Sequence, residues 1–127
     1  MSAKPSGDLM IQTLAMPADT NANGDIFGGW LVSQMDLAAG VLAKKISRGR
    51  AATVAINSMT FLKPVHVGDM VSCYVRLLKT GNTSMTFAVE AWREVLATSE
   101  MQCVTAGTFI FVGIDEHGHS RKVPKLS

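Results

Sequence analysis

The segment from Gly29 to Lys45, GWLVSQMDLAAGVLAKK, constrains the fold more than any other part of the chain. It lacks proline and is rich in Ala, Leu, Met and Gln, which favour a helix. Lys44 and Lys45 fall in its last turn, where cations suit the helix dipole. At ~100° per residue, Leu31, Val32, Met35, Leu37, Ala38, Ala39, Val41 and Leu42 spread around nearly the whole circumference. A helix that is apolar on most sides should be buried on most sides, so the rest of the chain must wrap it.

The remaining sequence supplies strands. Residues Asp8 to Met16 (DLMIQTLAM) read as a first strand, ended by Pro17 and the turn formers of PADTNANG. After the helix, Arg50 to Leu62, residues 70–79, 83–95 and 101–115 are rich in β-branched and aromatic residues. They are separated by short connections at 65–69 (VHVGD), 80–82 (TGN) and 97–100. Short connections favour antiparallel pairing. The expected class is α+β: one curved antiparallel sheet folded around a long central helix. With 127 residues, 47% of them apolar, the chain suits a single domain over 1–127, with a loose leader at 1–7 and a short basic tail at 116–127.

Composition excludes several classes of function. The net charge of +2 is small, and adjacent basic pairs occur only at Lys44-Lys45 and Arg121-Lys122, so no nucleic-acid partner is expected. No apolar run reaches the length of a membrane span, and the N-terminal MSAKPSGD has no signal-peptide core. Cys73 and Cys103 lie in strand-like runs without metal-ligand spacing, which points to free buried thiols and a reducing, cytoplasmic setting. His117 and His119 sit in a polar turn without the spacing of a metal site, and His66 reads as structural, so no metal is expected. Trp30 and Trp92 read as core residues.

Asp36 is the anomaly. On the helical wheel its neighbours are Val32, Ala39, Gly40 and Ala43, with Ser33 a little further round, so the acid sits among small or apolar residues. A desolvated carboxylate is expensive unless it has a partner or a use, and small neighbours leave space beside it. The preceding GDIFGG adds a second feature. The first amides of a helix have no internal partner, carry partial positive charge, and at glycine can be approached closely. Such an amide can stabilise an oxyanion, and a carboxylate can activate water or attack directly. Gly29 and Asp36 are roughly 10 Å apart along one helix axis. Two antiparallel helices would bring the Gly29 end of one subunit to Asp36 of the other, so the pattern points to a two-fold dimer with composite sites.

The stretches TLAMPADTNANGDIFGGWLVSQMDLAAG and TVAINSMTFLKPVHVGD closely resemble the hotdog-fold acyl-CoA thioesterases, in particular their YciA-type branch. The later LKTGNTSM and CVTAGTFIFVGID fit the same family, so the resemblance covers most of the chain. It implies the hotdog fold, a long helix wrapped by an antiparallel sheet, dimerising side by side. It implies that Asp36 is the nucleophile or general base and that the Gly29 amide polarises the thioester carbonyl. Asn23 matches a turn asparagine that positions substrate or water. Ser58 matches a hydroxyl position near the catalytic acid, and Asp25 is a further catalytic candidate. Many relatives carry a histidine before the paired glycines; here Phe27 stands there, and that role does not transfer.

The implied reaction splits an acyl-CoA into free CoA and a carboxylate, a step of fatty acid metabolism that needs no cofactor. For the CoA moiety, Arg50, Lys63, Lys79 and the turn Gly81, Asn82, Thr83 and Ser84 are the candidates, because phosphates take cations and backbone amides. Met35 and Met59 are candidates for the acyl pocket. The resemblance further implies a homo-oligomer, a dimer at least and in this branch often a trimer of dimers. Two other readings keep the fold. Dehydration of a 3-hydroxyacyl thioester would need a histidine near the turn or helix, which the chain lacks. A non-catalytic acyl-CoA-binding or sensing module is the alternative that Asp36 argues against.

Overall fold

The computed structural model describes residues 4–124; the first three residues of the leader and the last three of the tail lie outside the described residues. In chain order the elements are β1 (Asp8–Leu14), a 3-10 turn (Pro17–Asp19), α1 (Gly28–Ser47), β2 (Ala51–Phe61), β3 (Met70–Thr80), β4 (Ser84–Val95), β5 (Glu100–Ile114) and β6 (Ser120–Arg121). The strands form one sheet in the order β1-β3-β4-β5-β2, all antiparallel, with β6 added to β5. α1 packs against each of β1 to β5, which requires the sheet to curve around it.

The core lies between α1 and the concave face of the sheet. Alternation along β4 turns Met85, Phe87, Val89 and Ala91 inward, and β5 adds Phe109 and Phe111 from the next strand. The rings of Phe87 and Phe111 meet edge to face with centroids 5.8 Å apart. From α1 come Leu31, Met35, Ala38, Ala39 and Ala43, all buried. The alanines let the sheet approach the helix closely, and burial of a side chain such as Met35 contributes about 1.5–3 kcal/mol.

The wrap is less complete than the sequence suggests. Leu37 is 58% exposed and Val41 42%, on the helix face turned away from the sheet. Val54, 58% exposed, and Ile56, 41%, extend this apolar area onto β2. β2 is an edge strand, so five long strands cover one side of α1 and the sheet stops there.

Within the described residues, Ser6 of the leader and Arg121 and Val123 of the tail contact the rest of the fold. The Ser6 amide donates to Glu90 Oε1 at 3.1 Å, and Arg76 Nε donates to Ser6 Oγ at 3.0 Å. In the tail, Arg121 donates to the Ser47 and Ile114 carbonyls at 2.9 Å each, and Val123 is buried. The connection before β3 is anchored by Asp69, which is buried, bonded to Arg93 Nη1 at 3.1 Å, and accepts the His66 amide at 2.9 Å. This fastens the segment that faces the start of α1.

Candidate active site

Asp36 sits midway along α1, half-buried. Its Oδ1 accepts a hydrogen bond from Thr53 Oγ1 at 2.5 Å. The two side chains line a cavity of about 230 Å³ together with Leu37, Gly40, Val41, Lys44, Ala51 and Phe111. The space beside the acid is therefore real, and Gly40, one turn on, helps to keep it open. Thr53 is a candidate site residue that the sequence did not disclose. In a strand reading ATVAINSMT it passes as an ordinary β-former.

A second cavity, about 420 Å³, opens at the other end of the helix. Its wall includes Asn21, Asp25, Gly28, Leu31, Phe61 and Lys63. The turn in front of it is built by Asn21, whose Oδ1 accepts the amides of Asn23 at 2.9 Å and Asp25 at 3.2 Å. This Asx turn holds Asn23 exposed at the tip, and Asp25 is steadied by His66, whose Nδ1 lies 3.3 Å away. Asn21 was legible only as one turn former among several, while its neighbours Asn23 and Asp25 were the residues singled out.

α1 begins at Gly28 with Phe27 as its N-cap, which supplies no side-chain cap. The Trp30 amide donates to the Phe27 carbonyl at 3.1 Å, while the amides of Gly28 and Gly29 before it come too early in the helix for an intrahelical partner, and Gly29 is exposed. Gly28 is where a side chain would crowd the site: a Cβ there would lie 3.1 Å from the Phe61 ring. Gly29 and Asp36 stand seven residues apart on one unbroken helix, so within a chain the open amides and the acid do not meet.

The other sequence candidates divide between the two ends. Ser58 lies in β2 at a break in the pairing register, with φ 54°. It is five residues along the strand from Thr53, toward the start of α1, and Thr53 rather than Ser58 bonds Asp36 in the chain. Lys63 is at the helix-start cavity. Arg50, Lys79 and the turn Gly81 to Ser84 gather at the opposite end, where β3 and β4 join and β2 begins. That turn is fixed by its carbonyls: Thr83 accepts the Gly113 amide at 3.0 Å and Asn82 the Val123 amide at 3.0 Å. Arg50 donates to the Asp115 carbonyl at 3.2 Å. Met35 is wholly in the core and Met59 packs over Gly107; neither lines a cavity described above.

Both cysteines are buried free thiols. Burial pushes the Cys73 thiol up to about 12, so it stays protonated, and burial together with the Glu90 charge raises Cys103. Among the described residues no group of His, Cys, Asp and Glu side chains is placed to hold a metal, and no helix is long and apolar enough to cross a membrane. Trp92 is buried and Trp30 packs against the core.

Comparison with known proteins adds three kinds of likeness. The sequence pattern of the Thioesterase superfamily matches residues 23–99, from the turn through the end of β4. The acyl-CoA thioester hydrolase YciA of Salmonella typhimurium is 50% identical over 127 residues, covering 98% of this chain and 96% of its own. Among solved structures, a hexameric thioesterase from Yersinia pestis superposes with a TM-score of 0.93 at 50% identity, covering 97% of this chain and 100% of that one. An acyl-CoA hydrolase from Staphylococcus aureus, solved with butyryl coenzyme A, coenzyme A and coenzyme A disulfide, superposes at 0.84 with 26% identity, covering 92% and 71%.

Proposed function

The chain belongs to the thioesterase superfamily and is a hotdog-fold acyl-CoA thioester hydrolase; from that premise we propose that its catalytic centre is shared between two subunits. The reading rests on one observation. A half-buried carboxylate, Asp36, is held by Thr53 beside an open cavity, while the uncapped amides it would work with lie at the far end of the same helix. A two-fold pairing of α1 with α1 of a second copy sets Asp36 of one subunit against Gly29 of the other, and does so twice. The exposed apolar face of Leu37, Val41, Val54 and Ile56 is the surface such a pairing would cover. Relatives described as hexamers support a homo-oligomer, built as a trimer of such dimers.

The chemistry follows from the placement. The thioester carbonyl oxygen accepts a hydrogen bond from the Gly29 amide, which makes the carbonyl carbon more electrophilic. Asp36 takes a proton from water as the water oxygen attacks that carbon, or attacks it directly to give an anhydride that water then opens. In either case the negative charge of the tetrahedral intermediate develops on the oxygen facing the Gly29 amide. Collapse breaks the C–S bond, the sulfur leaves as CoA thiolate and takes up a proton, and the acyl group departs as a carboxylate. Asn23 at the tip of the Asx turn positions substrate or water. Ser58, nearer the helix start than Thr53, would stand beside the acid of the partner subunit. Asp25 is the second carboxylate to test. No step calls for a cofactor. The CoA phosphates are assigned to Arg50, Lys79 and the Gly81, Asn82, Thr83 and Ser84 turn, which gather at one end of the sheet, while Lys63 stands apart from them at the helix-start cavity. The buried thiols support a reducing, cytoplasmic setting.

The test is thiol release from a panel of acyl-CoAs by wild type, Asp36→Asn and Asp25→Asn. Asp36→Asn, folded and oligomeric, should lose about 10²–10⁴-fold in kcat, the range for a displaced general base, while Asp25→Asn loses far less. Equal rates for wild type and Asp36→Asn would remove Asp36 from the mechanism. No release by folded wild type would instead favour the acyl-CoA-binding module.

A further inference from the structure

The two cavities differ in the charges around them, and that difference gives the substrate a direction. The cavity beside Asp36 is lined by Lys44 and by Ala51, the neighbour of Arg50, at the end of the sheet where Lys79 also lies. Those cations suit the phosphates of CoA. The helix-start cavity is different. Lys63 is the one lysine or arginine in its lining and shares it with the carboxylate of Asp25, which His66 Nδ1 approaches at 3.3 Å, and the inner wall is apolar, formed by Ile26, Leu31 and Val65, all buried, under Phe61. At about 420 Å³ it has the size of a small-molecule pocket. A doubly charged phosphate would meet a carboxylate and an apolar wall there, whereas an alkyl chain would find what it needs.

Resting on the composite-site reading above, we propose that the acyl chain enters the helix-start cavity and that Phe61 is the wall residue that sets the chain length accepted. Phe61 is the last residue of β2, beyond the register break, and its side chain is more than half exposed at the rim. Its ring lies over Gly28, where a Cβ would sit 3.1 Å from it, so the glycine is what lets an aromatic ring cover the helix start. The remaining lining is fixed: Ile26 is held by its amide to the Val65 carbonyl at 3.0 Å, and Leu31 is locked into the core. Of the large apolar side chains of this wall, Phe61 at 53% and Leu62 at 40% exposure can be changed in size without disturbing packed interior, and Phe61 is the one whose ring lies over the helix start.

The experiment compares kcat/KM across acetyl-, butyryl-, hexanoyl-, octanoyl- and dodecanoyl-CoA for wild type, Phe61→Ala and Phe61→Trp, with folding checked by circular dichroism and oligomeric state by sedimentation. Opening the wall should raise the dodecanoyl-to-butyryl ratio of kcat/KM by about 10-fold or more, the discrimination that a change of a few methylenes in an apolar pocket supports. Phe61→Trp should lower that ratio. The assignment is overturned if both variants, folded and oligomeric, keep the wild-type profile, or if they scale all chain lengths by one factor. The parent reading fails separately, by absence of thiol release from wild type on every member of the panel, and this inference would fail with it.

Discussion

At the residue scale, the acid on α1 depends on one hydroxyl. Thr53 Oγ1 donates to Asp36 Oδ1 and fixes which way the carboxylate faces into its cavity. Thr53→Val keeps the β-branched shape and removes the donor, so the carboxylate should rotate away from its working position. Misplacement of about 1 Å in such a group can cost on the order of 10²-fold. We expect Thr53→Val to lower kcat by about 10–100-fold with little change in KM. Thr53→Ser should restore most of the loss, because it returns the hydroxyl. A purely structural role would make the two variants track thermal stability instead, so steady-state kinetics beside melting curves separates the two accounts. Asp36 stands out as a candidate in the sequence because a carboxylate among Val32, Ala39, Gly40 and Ala43 breaks the helix pattern. Thr53 does not, because a threonine breaks no rule of a strand; only the packing of β2 against α1 makes it a partner.

At the scale of elements, the long helix and the strands could be read with ends correct to within two residues, since hydrophobic period and turn chemistry agree along most of the chain. What escaped was short or non-local. β6 is two residues long and carries no periodicity of its own; it exists because β5 offers an edge. The register break in β2 at Ser58 depends on what lies across the strand pair, not on local propensity. The helix face bearing Leu37 and Val41 shows where single-chain logic ends. The sequence asks for burial on most sides, and the chain's own sheet gives it on one. Leu37→Asp should therefore leave the monomer fold intact while costing the assembly its apolar contact. Sedimentation velocity should show a smaller species, and thiol release should fall steeply on dilution. A variant that stays assembled and fully active would place the pairing surface elsewhere.

At the scale of the whole molecule, the fold separates the groups that the proposed chemistry would join. α1 runs 20 residues without a break, and the turn, the open amides and the larger cavity lie at its start, with the cations of Arg50 and Lys79 beyond its end. Asp36 lies between them. If function belongs to pairs of chains, two defective chains can repair each other. Asp36→Asn and a variant that fills the oxyanion position, Gly29→Val, should each be nearly inactive alone. Dissociated, mixed in equal amounts and reassembled, they should recover about a quarter of wild-type activity, because half the dimers would be mixed and each of those would hold one intact site of its two. Failure to recover activity, with mixed assemblies demonstrated by mass, would return both groups to a single chain. The unbroken run of one helix would thus have a consequence in heredity: two damaging alleles of this protein, one with a lesion at the start of α1 and one with a lesion at its middle, could complement when expressed together.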